Sequence, residues 1–214
     1  MADRKFRPHT AVALLAACLL LTAYGSVAAH PKDKERWDGK YDTKDFIFGK
    51  EPIPFLRDNL HLLPKGKVLD LAMGEGRNGV FLAEQGFDVE GWDISETGLK
   101  KAHQLAAEHK TAIKTRVVDL DHAKPDKGAY DIVLCAYYMQ RDLFPAMKDA
   151  VKSGGLVVVE TYNLDFLKYN PRFREEWALK TNELLDIFKD FKILRYQVYD
   201  DGVEAYSSII AQKP

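Results

Sequence analysis

Gly74, Gly76 and Gly79 follow the apolar run Val68-Leu69-Asp70-Leu71 at the spacing G-x-G-x-x-G. Asp70, Asp93 and Asp119 each stand at the end of a successive apolar stretch. A glycine turn between a strand and a helix lets a ligand come close to backbone amides; alone it fits a dinucleotide site or an ordinary strand-to-helix connection. The acids discriminate between ligands. A pyrophosphate seeks bare N–H groups and a helix N-terminus, so Asp70 and Glu75 beside the glycines oppose it.

S-adenosylmethionine has no phosphate and carries an ammonium and a sulfonium, so a carboxylate at Asp70 can attract its ammonium end directly or through water. Asp93 lies 17 positions beyond Gly76, near the spacing expected of a carboxylate that accepts from ribose hydroxyls. Asp119 is placed to accept a proton from the adenine amino group. A single such acid is usually a surface or capping residue; three at successive strand ends are harder to dismiss.

These residues need elements to hold them, and the chain supplies an alternation of short apolar runs with helical patterns. Strands are expected at Val68–Leu71, Phe87–Trp92, Lys114–Val118, Asp131–Ala136 and Leu156–Thr161. Helices are expected at Val80–Gln85, after the cap Ser95, and at Leu143–Val151 ending before Gly154-Gly155. A further helix starting at Pro52 and stopping before Pro64 precedes them, and Lys32–Arg36 reads as a solvated linker or the start of an exposed helix. The alternation implies one α/β domain built on a parallel sheet with right-handed crossovers. The C-terminus departs from it: after a helix at Leu184–Phe188, Ile193–Tyr199 and Ala205–Ala211 flank Asp201-Gly202 as a hairpin.

At 214 residues the chain suits one domain, and 31 Lys and Arg against 32 Asp and Glu give no basic field for nucleic acid. A small-molecule partner is expected instead. Cys18 and Cys135 are far apart, and no metal-ligand spacing is readable, so no metal is expected. Arg4, Lys5 and Arg7 precede an uncharged run from Ala11 to Ala29 that ends in small residues. That pattern is a secretory signal peptide or a membrane anchor over residues 1–29, followed by a linker and N-terminal cap over 30–50 and the main domain over 51–214. Export to the periplasm, or retention at the membrane through this segment alone, is the expected localisation, with a cytoplasmic protein if the segment does not function.

Asp70-Leu71-Ala72-Met73-Gly74-Glu75-Gly76-Arg77-Asn78, Trp92-Asp93-Ile94-Ser95 and Asp119-Leu120, together with Trp37–Tyr41, Phe48–Pro52 and Leu143-Phe144-Pro145, resemble bacterial class I methyltransferases, particularly the small tellurite-resistance group. The resemblance implies a doubly wound, Rossmann-like sheet of seven strands in the order 3-2-1-4-5-7-6, with strand seven antiparallel. It also implies S-adenosylmethionine as cofactor, bound by Asp70, Ala72, Gly74, Gly76, Arg77, Asn78, Asp93, Ile94, Asp119, Leu120 and Cys135. Ala72 stands where many class I enzymes have a glycine.

Methyl transfer from a sulfonium is an in-line displacement in which alignment in a dry pocket is the main contribution of the protein. The loop after the fourth strand opens at the ligand edge of such sheets, so Tyr137 and Arg141 are the candidate catalytic residues, through cation–π contact and anion binding. Cys135 also reads as a small buried hydrophobe. Tyr162–Trp177, with Arg172 and Arg174, reads as an acceptor lid or as a packed surface excursion. The expected function is methyl transfer to a small acceptor such as a thiol or oxyanion; an NAD-type oxidoreductase and a non-catalytic ligand-binding resistance protein are the alternatives.

Overall fold

The structure, a computed structural model, describes residues 31–214, so the expected export segment and Cys18 lie outside the described residues. Seven strands, β1 (Lys67–Leu71), β2 (Asp88–Asp93), β3 (Lys114–Val117), β4 (Tyr130–Ala136), β5 (Val151–Tyr162), β6 (Lys192–Asp200) and β7 (Ala205–Gln212), form one sheet. Their order is β3-β2-β1-β4-β5-β7-β6, with β7 antiparallel to both neighbours and the first five strands parallel. This is the single α/β domain and strand order that the resemblance implied.

Why the strands read as apolar runs is visible in their burial. Val68, Ile132, Leu134, Leu156, Val158 and Ile210 pack on one side of the sheet. Leu69, Val133, Cys135, Val157, Val159 and Ile209 pack on the other. Alternate residues serve opposite faces, but helices cover both, so the period of two is hidden beneath a continuous hydrophobic signal. The first face carries α2 (Pro54–Asp58), α3 (Arg77–Glu84) and α4 (Glu96–Glu108), and the second carries α5 (Leu143–Ala150) and α6 (Glu183–Ile187).

Ser95 caps α4 as expected: the Gly98 amide donates to its Oγ at 3.0 Å. The charged stretch after residue 31 is the start of a helix, α1 (Pro31–Tyr41), which packs on α4. Asp38 anchors it by accepting from Ser95 Oγ at 2.6 Å and Thr97 N at 3.0 Å. It thus reaches the orphan amides at the start of α4.

Three local expectations are corrected. The helix expected from Pro52 starts instead at Pro54, runs five residues, and gives way to a 3-10 turn at Leu60–Leu62. The Asn59 side chain, donating to Phe55 O at 2.9 Å, ends it. The helix preceding β2 starts at Arg77, not Val80, because Gly76 at φ +87° turns the chain directly into it. Gly154-Gly155 is not a loop before the fifth strand. β5 begins at Val151, and the glycines form an irregularity where pairing with β4 shifts between Tyr130 and Ile132. A Cβ at Gly155 would stand 2.8 Å from the Asp131 carbonyl, so the close approach requires glycine.

Candidate functional site

The C-terminal edges of β1, β2 and β4 bring the sequence-derived acids and loops together. After β1, Ala72 (φ +54°), Gly74 (φ +56°) and Gly76 (φ +87°) take left-handed conformations in one turn, two of them at glycine and one at a residue that rarely adopts it. Met73 fastens the turn down: its amide donates to Trp92 O at 3.0 Å, and its thioether fills the space that a Cβ on Gly79 or Gly91 would need. A longer residue than glycine at 79 or 91 would displace this bolt.

Asp93 holds the turn from the other side. Its Oδ2 accepts from Gly74 N and its Oδ1 from Ser95 N, both at 2.8 Å. Gly76 N is likewise engaged, donating to Met73 O at 3.0 Å. Two loop amides that an anionic pyrophosphate would need are therefore already used. Burial pushes the Asp93 carboxyl up to about 6 against the pull of these amides.

Asp70 is more unusual. It is buried, its Oδ2 makes no well-formed hydrogen bond, and burial together with the Asp93 charge raises its carboxyl to about 8 against the pull of the nearby Gly79 amide. A buried carboxylate oxygen without a well-formed hydrogen bond is costly, and a cationic donor brought beside it would relieve that cost. Asp119 is buried just after β3, its Oδ1 accepting from Asp121 N at 3.0 Å, with Leu120 buried beside it and Ile94 half-buried after β2.

The residues next to the glycines serve a different contact. Arg77 Nη1 donates to Phe48 O at 2.9 Å, Asn78 Oδ1 accepts from Ile53 N at 3.0 Å, and Glu75 Oε2 accepts from Phe48 N at 3.3 Å. Lys101 of α4, itself buried, completes the fastening: Nζ lies 2.6 Å from Glu75 Oε1 and donates to Asp45 O at 2.6 Å and Thr43 Oγ1 at 3.2 Å. Residues 43–53 are thereby strapped across the glycine turn. Tyr41 closes the same end, its hydroxyl 2.6 Å from where a Gly74 Cβ would stand and its ring edge-on to Phe48. Nothing in the sequence separated Lys101 from an ordinary surface lysine.

At the β4 end, Tyr137 (φ +56°) lies beneath the Arg77 guanidinium, 5.5 Å from it, and meets Tyr162 and Tyr206 edge-on at 5.0 and 6.1 Å. Cys135 is buried, with burial raising its thiol well above the ordinary range. Tyr138 turns aside to donate to Gln140 Oε1 at 2.8 Å. Glu160, in the apolar run of β5, is fully buried next to Tyr137; a lone acid within Leu156–Thr161 was the signal available for it.

Arg141 lies apart from the acids. Its Nε and Nη2 clasp Glu183 at 2.7 and 2.9 Å, while Nη1 and Nη2 donate to the Glu176 and Ala178 carbonyls at 2.7 and 2.9 Å. Two surface grooves flank it, and neither is lined by a strand-end aspartate. The excursion it pins is packed rather than open: Phe166 stacks on Tyr162 at 4.0 Å, and Phe173 meets Phe166 at 5.1 Å and Trp177 at 5.9 Å. Arg141→Ala should accelerate amide exchange across Glu175–Glu183 while changing S-adenosylhomocysteine affinity by less than about twofold. A parallel loss of affinity, measured by calorimetry, would return Arg141 to the ligand site.

Among the described residues, no group of three or more His, Cys, Asp or Glu side chains could hold a metal, and no helix is long and apolar enough to cross a membrane.

A family model described as "Tellurite resistance protein TehB" matches residues 32–203. A probable S-adenosyl-L-methionine-dependent methyltransferase TehB of Haemophilus influenzae (strain ATCC 51907 / DSM 11121 / KW20 / Rd) is 27% identical over 187 residues, which are 81% of this chain and 64% of the relative. The chain thus spans less than two thirds of that relative's length. The crystal structure of TehB from Haemophilus influenzae superposes with a TM-score of 0.62 at 20% identity, over 85% of this chain and 67% of that one. Magnesium protoporphyrin IX methyltransferase from Synechocystis PCC 6803, with bound SAH, gives 0.61 at 19% identity, over 86% and 94%. At these identities the superpositions speak to the fold.

Proposed function

The chain belongs to the TehB family, and from that membership and the geometry of its strand-end cleft we propose that it binds S-adenosylmethionine and transfers the methyl group to a small-molecule acceptor. The observation that carries this reading is Asp70: a buried carboxylate whose Oδ2 makes no well-formed hydrogen bond fits an ammonium group, and the engaged amides of Gly74 and Gly76 do not fit a pyrophosphate. This is a firmer discriminant than charge near the glycines, because Glu75 is already balanced by Lys101.

Asp93, which grips the glycine turn with one lone pair of each oxygen, retains acceptor capacity for the ribose hydroxyls. Asp119 and Leu120 lie on the adenine side, with Ile94 and Ala72 as apolar contacts. Arg77, whose charge is felt at both Asp70 and Tyr41, is the cation available to the cofactor carboxylate. The bound cofactor supplies an electrophilic methyl on a sulfonium. Tyr137 offers that cation a ring face and an edge of the acceptor pocket, and the strap over residues 43–53 with Tyr41 keeps water from the glycine end. Cys135 is a buried thiol whose Sγ donates to Tyr138 O at 3.7 Å. Residues 30–50 act as the cap of a catalytic domain at 51–214.

The test is formation of S-adenosylhomocysteine from S-adenosylmethionine by the purified full chain, with thiols, oxyanions and phenols as acceptors. Acceptor-dependent product supports the proposal; cofactor binding without turnover on any acceptor would favour the non-catalytic ligand-binding alternative. The apolar segment at Ala11–Ala29 supports delivery of the domain to or across a membrane. Fractionation and N-terminal sequencing test this: a soluble cytoplasmic protein that keeps Met1 would contradict it.

A further inference from the structure

The middle of the strap, residues 44–52, crosses the glycine turn outside any helix or strand. Among the described residues, no backbone-to-backbone hydrogen bond joins it to the rest of the domain; Gly49 N donates to Phe46 O at 3.1 Å and closes a turn within it. Both flanks are tied down. Asp38 holds α1 to the start of α4, and Ile53, only 2% exposed, donates its amide to Asn78. Between these anchors the fastenings are side chains: Lys101 grips Asp45 O, Arg77 grips Phe48 O, Glu75 accepts from Phe48 N, and Lys50 Nζ reaches Glu108 Oε2 at 2.6 Å. Phe46 is tucked against the core, with the Lys101 ammonium 5.1 Å from its ring, whereas Ile47 and Phe48 are 39% and 50% exposed.

We propose that residues 44–52 are a flap that opens for the cofactor to enter and leave, and that Lys101 is the positioning residue that latches it shut. The inference rests on the cofactor reading above and adds a moving part to that site. A segment held by side chains, without a ladder or helix of its own, opens at far less cost than the sheet beneath it. Its fastenings also sit where the cofactor must lie: Glu75 belongs to the glycine turn, Arg77 opens α3, and Tyr41 at the root of the flap covers Gly74 and Gly98.

Lys101 couples the flap to the turn. The closed flap takes Lys101 and Glu75 out of water, and the Asp45 carbonyl, the Thr43 hydroxyl and the Phe48 amide supply hydrogen bonds in return. Opening rehydrates the pair and breaks these bonds together. Arg77 is the second link, because the cation offered to the cofactor carboxylate also holds Phe48 O. A cofactor that fixes Arg77 thereby favours the closed flap, and by reciprocity the closed flap strengthens cofactor binding. Gly49 supplies the bend at φ +73°, where a Cβ would meet open space. Alanine there strains the closed turn through its backbone and touches nothing else.

The test follows two quantities on the full chain: hydrogen exchange over residues 44–52, and release of labelled S-adenosylhomocysteine chased by excess unlabelled ligand. In wild type, saturating S-adenosylhomocysteine should slow exchange of the flap amides by about 10-fold or more. Gly49→Ala should speed both flap exchange and ligand release by about 5- to 30-fold, the effect of one left-handed alanine. The double variant Lys101→Met with Glu75→Gln should speed both by about 10-fold or more. Should the double variant fail to fold, Thr43→Val, which removes one acceptor of the Lys101 ammonium from an exposed position, is read in its place, with release about 3-fold faster or more.

Flap amides indifferent to the ligand in wild type, or flap exchange or ligand release at the wild-type rate in Gly49→Ala, would overturn the flap and leave the cofactor reading intact. Faster release in Gly49→Ala beside wild-type release in the Lys101 or Thr43 variant would overturn the part assigned to Lys101. A wild type that binds no S-adenosylhomocysteine would instead remove the reading on which the flap rests.

Discussion

Lys101→Met should destabilise the protein by about 3–5 kcal/mol, a large share of the margin of an ordinary domain. Lys101 and Glu75 have only 7% and 2% of their side chains exposed, and their charges stand 2.6 Å apart. Methionine keeps the volume of the lysine stem but leaves Glu75 as an uncompensated buried charge, and it frees the Asp45 carbonyl and Thr43 hydroxyl. The double variant Lys101→Met with Glu75→Gln removes the orphan charge while Gln can still accept from Phe48 N. It should recover the larger part of the loss in denaturant unfolding. If the double variant is as unstable as the single one, the cost lies in the strap contacts and not in the buried charge.

Asp93→Ala should weaken S-adenosylhomocysteine binding by roughly 10- to 150-fold, since losing hydrogen bonds to a charged acceptor costs about 1.5–3 kcal/mol. The structure adds a second expectation. Gly74 N and Ser95 N both lose their acceptor, so the variant should also melt earlier than wild type, with the glycine turn loosened. Asp93→Asn, which retains one carbonyl oxygen, should fall between the two in both measurements. Calorimetry and thermal unfolding on the same preparations separate the effects, and unchanged affinity in a folded Asp93→Ala protein would exclude the residue from the cofactor site.

How much of this was legible beforehand follows from what each feature depends on. The strands and the glycine turn were readable because parallel strands buried on both faces must be apolar and because the turn needs left-handed φ, which Gly74 and Gly76 announce. Gly154-Gly155 misled because a glycine pair after a helix resembles a stop signal, while here a close approach to Asp131 inside β5 demands it. The resemblance implies Arg77 and Asn78 as cofactor residues, but their protein partners, Phe48 and Ile53, lie more than twenty positions away and leave no local trace. Lys101 and Glu75 are hidden for the same reason. Arg141 was placed by its position after β4, yet its donors are directed to a glutamate and two carbonyls that only tertiary folding brings near.

On the proposed reading, the Asp70 end of the cleft receives a cation. In the free protein Asp70 is raised from 3.8 to about 8, so it is largely protonated at pH 7. The same shift makes its contribution to stability fall as pH rises from about 4 through about 8, because the unfolded chain gives up this proton first. An ammonium bound beside the carboxylate lowers its proton affinity, so binding at pH 7 should release about one proton from this site. Calorimetry of S-adenosylhomocysteine at pH 7 in two buffers of different ionisation enthalpy measures that number directly. Binding with about one proton released is expected in wild type, with none released in Asp70→Asn and no binding of NAD. Binding of NAD in place of S-adenosylhomocysteine, or proton release that is unchanged in Asp70→Asn, would contradict that reading.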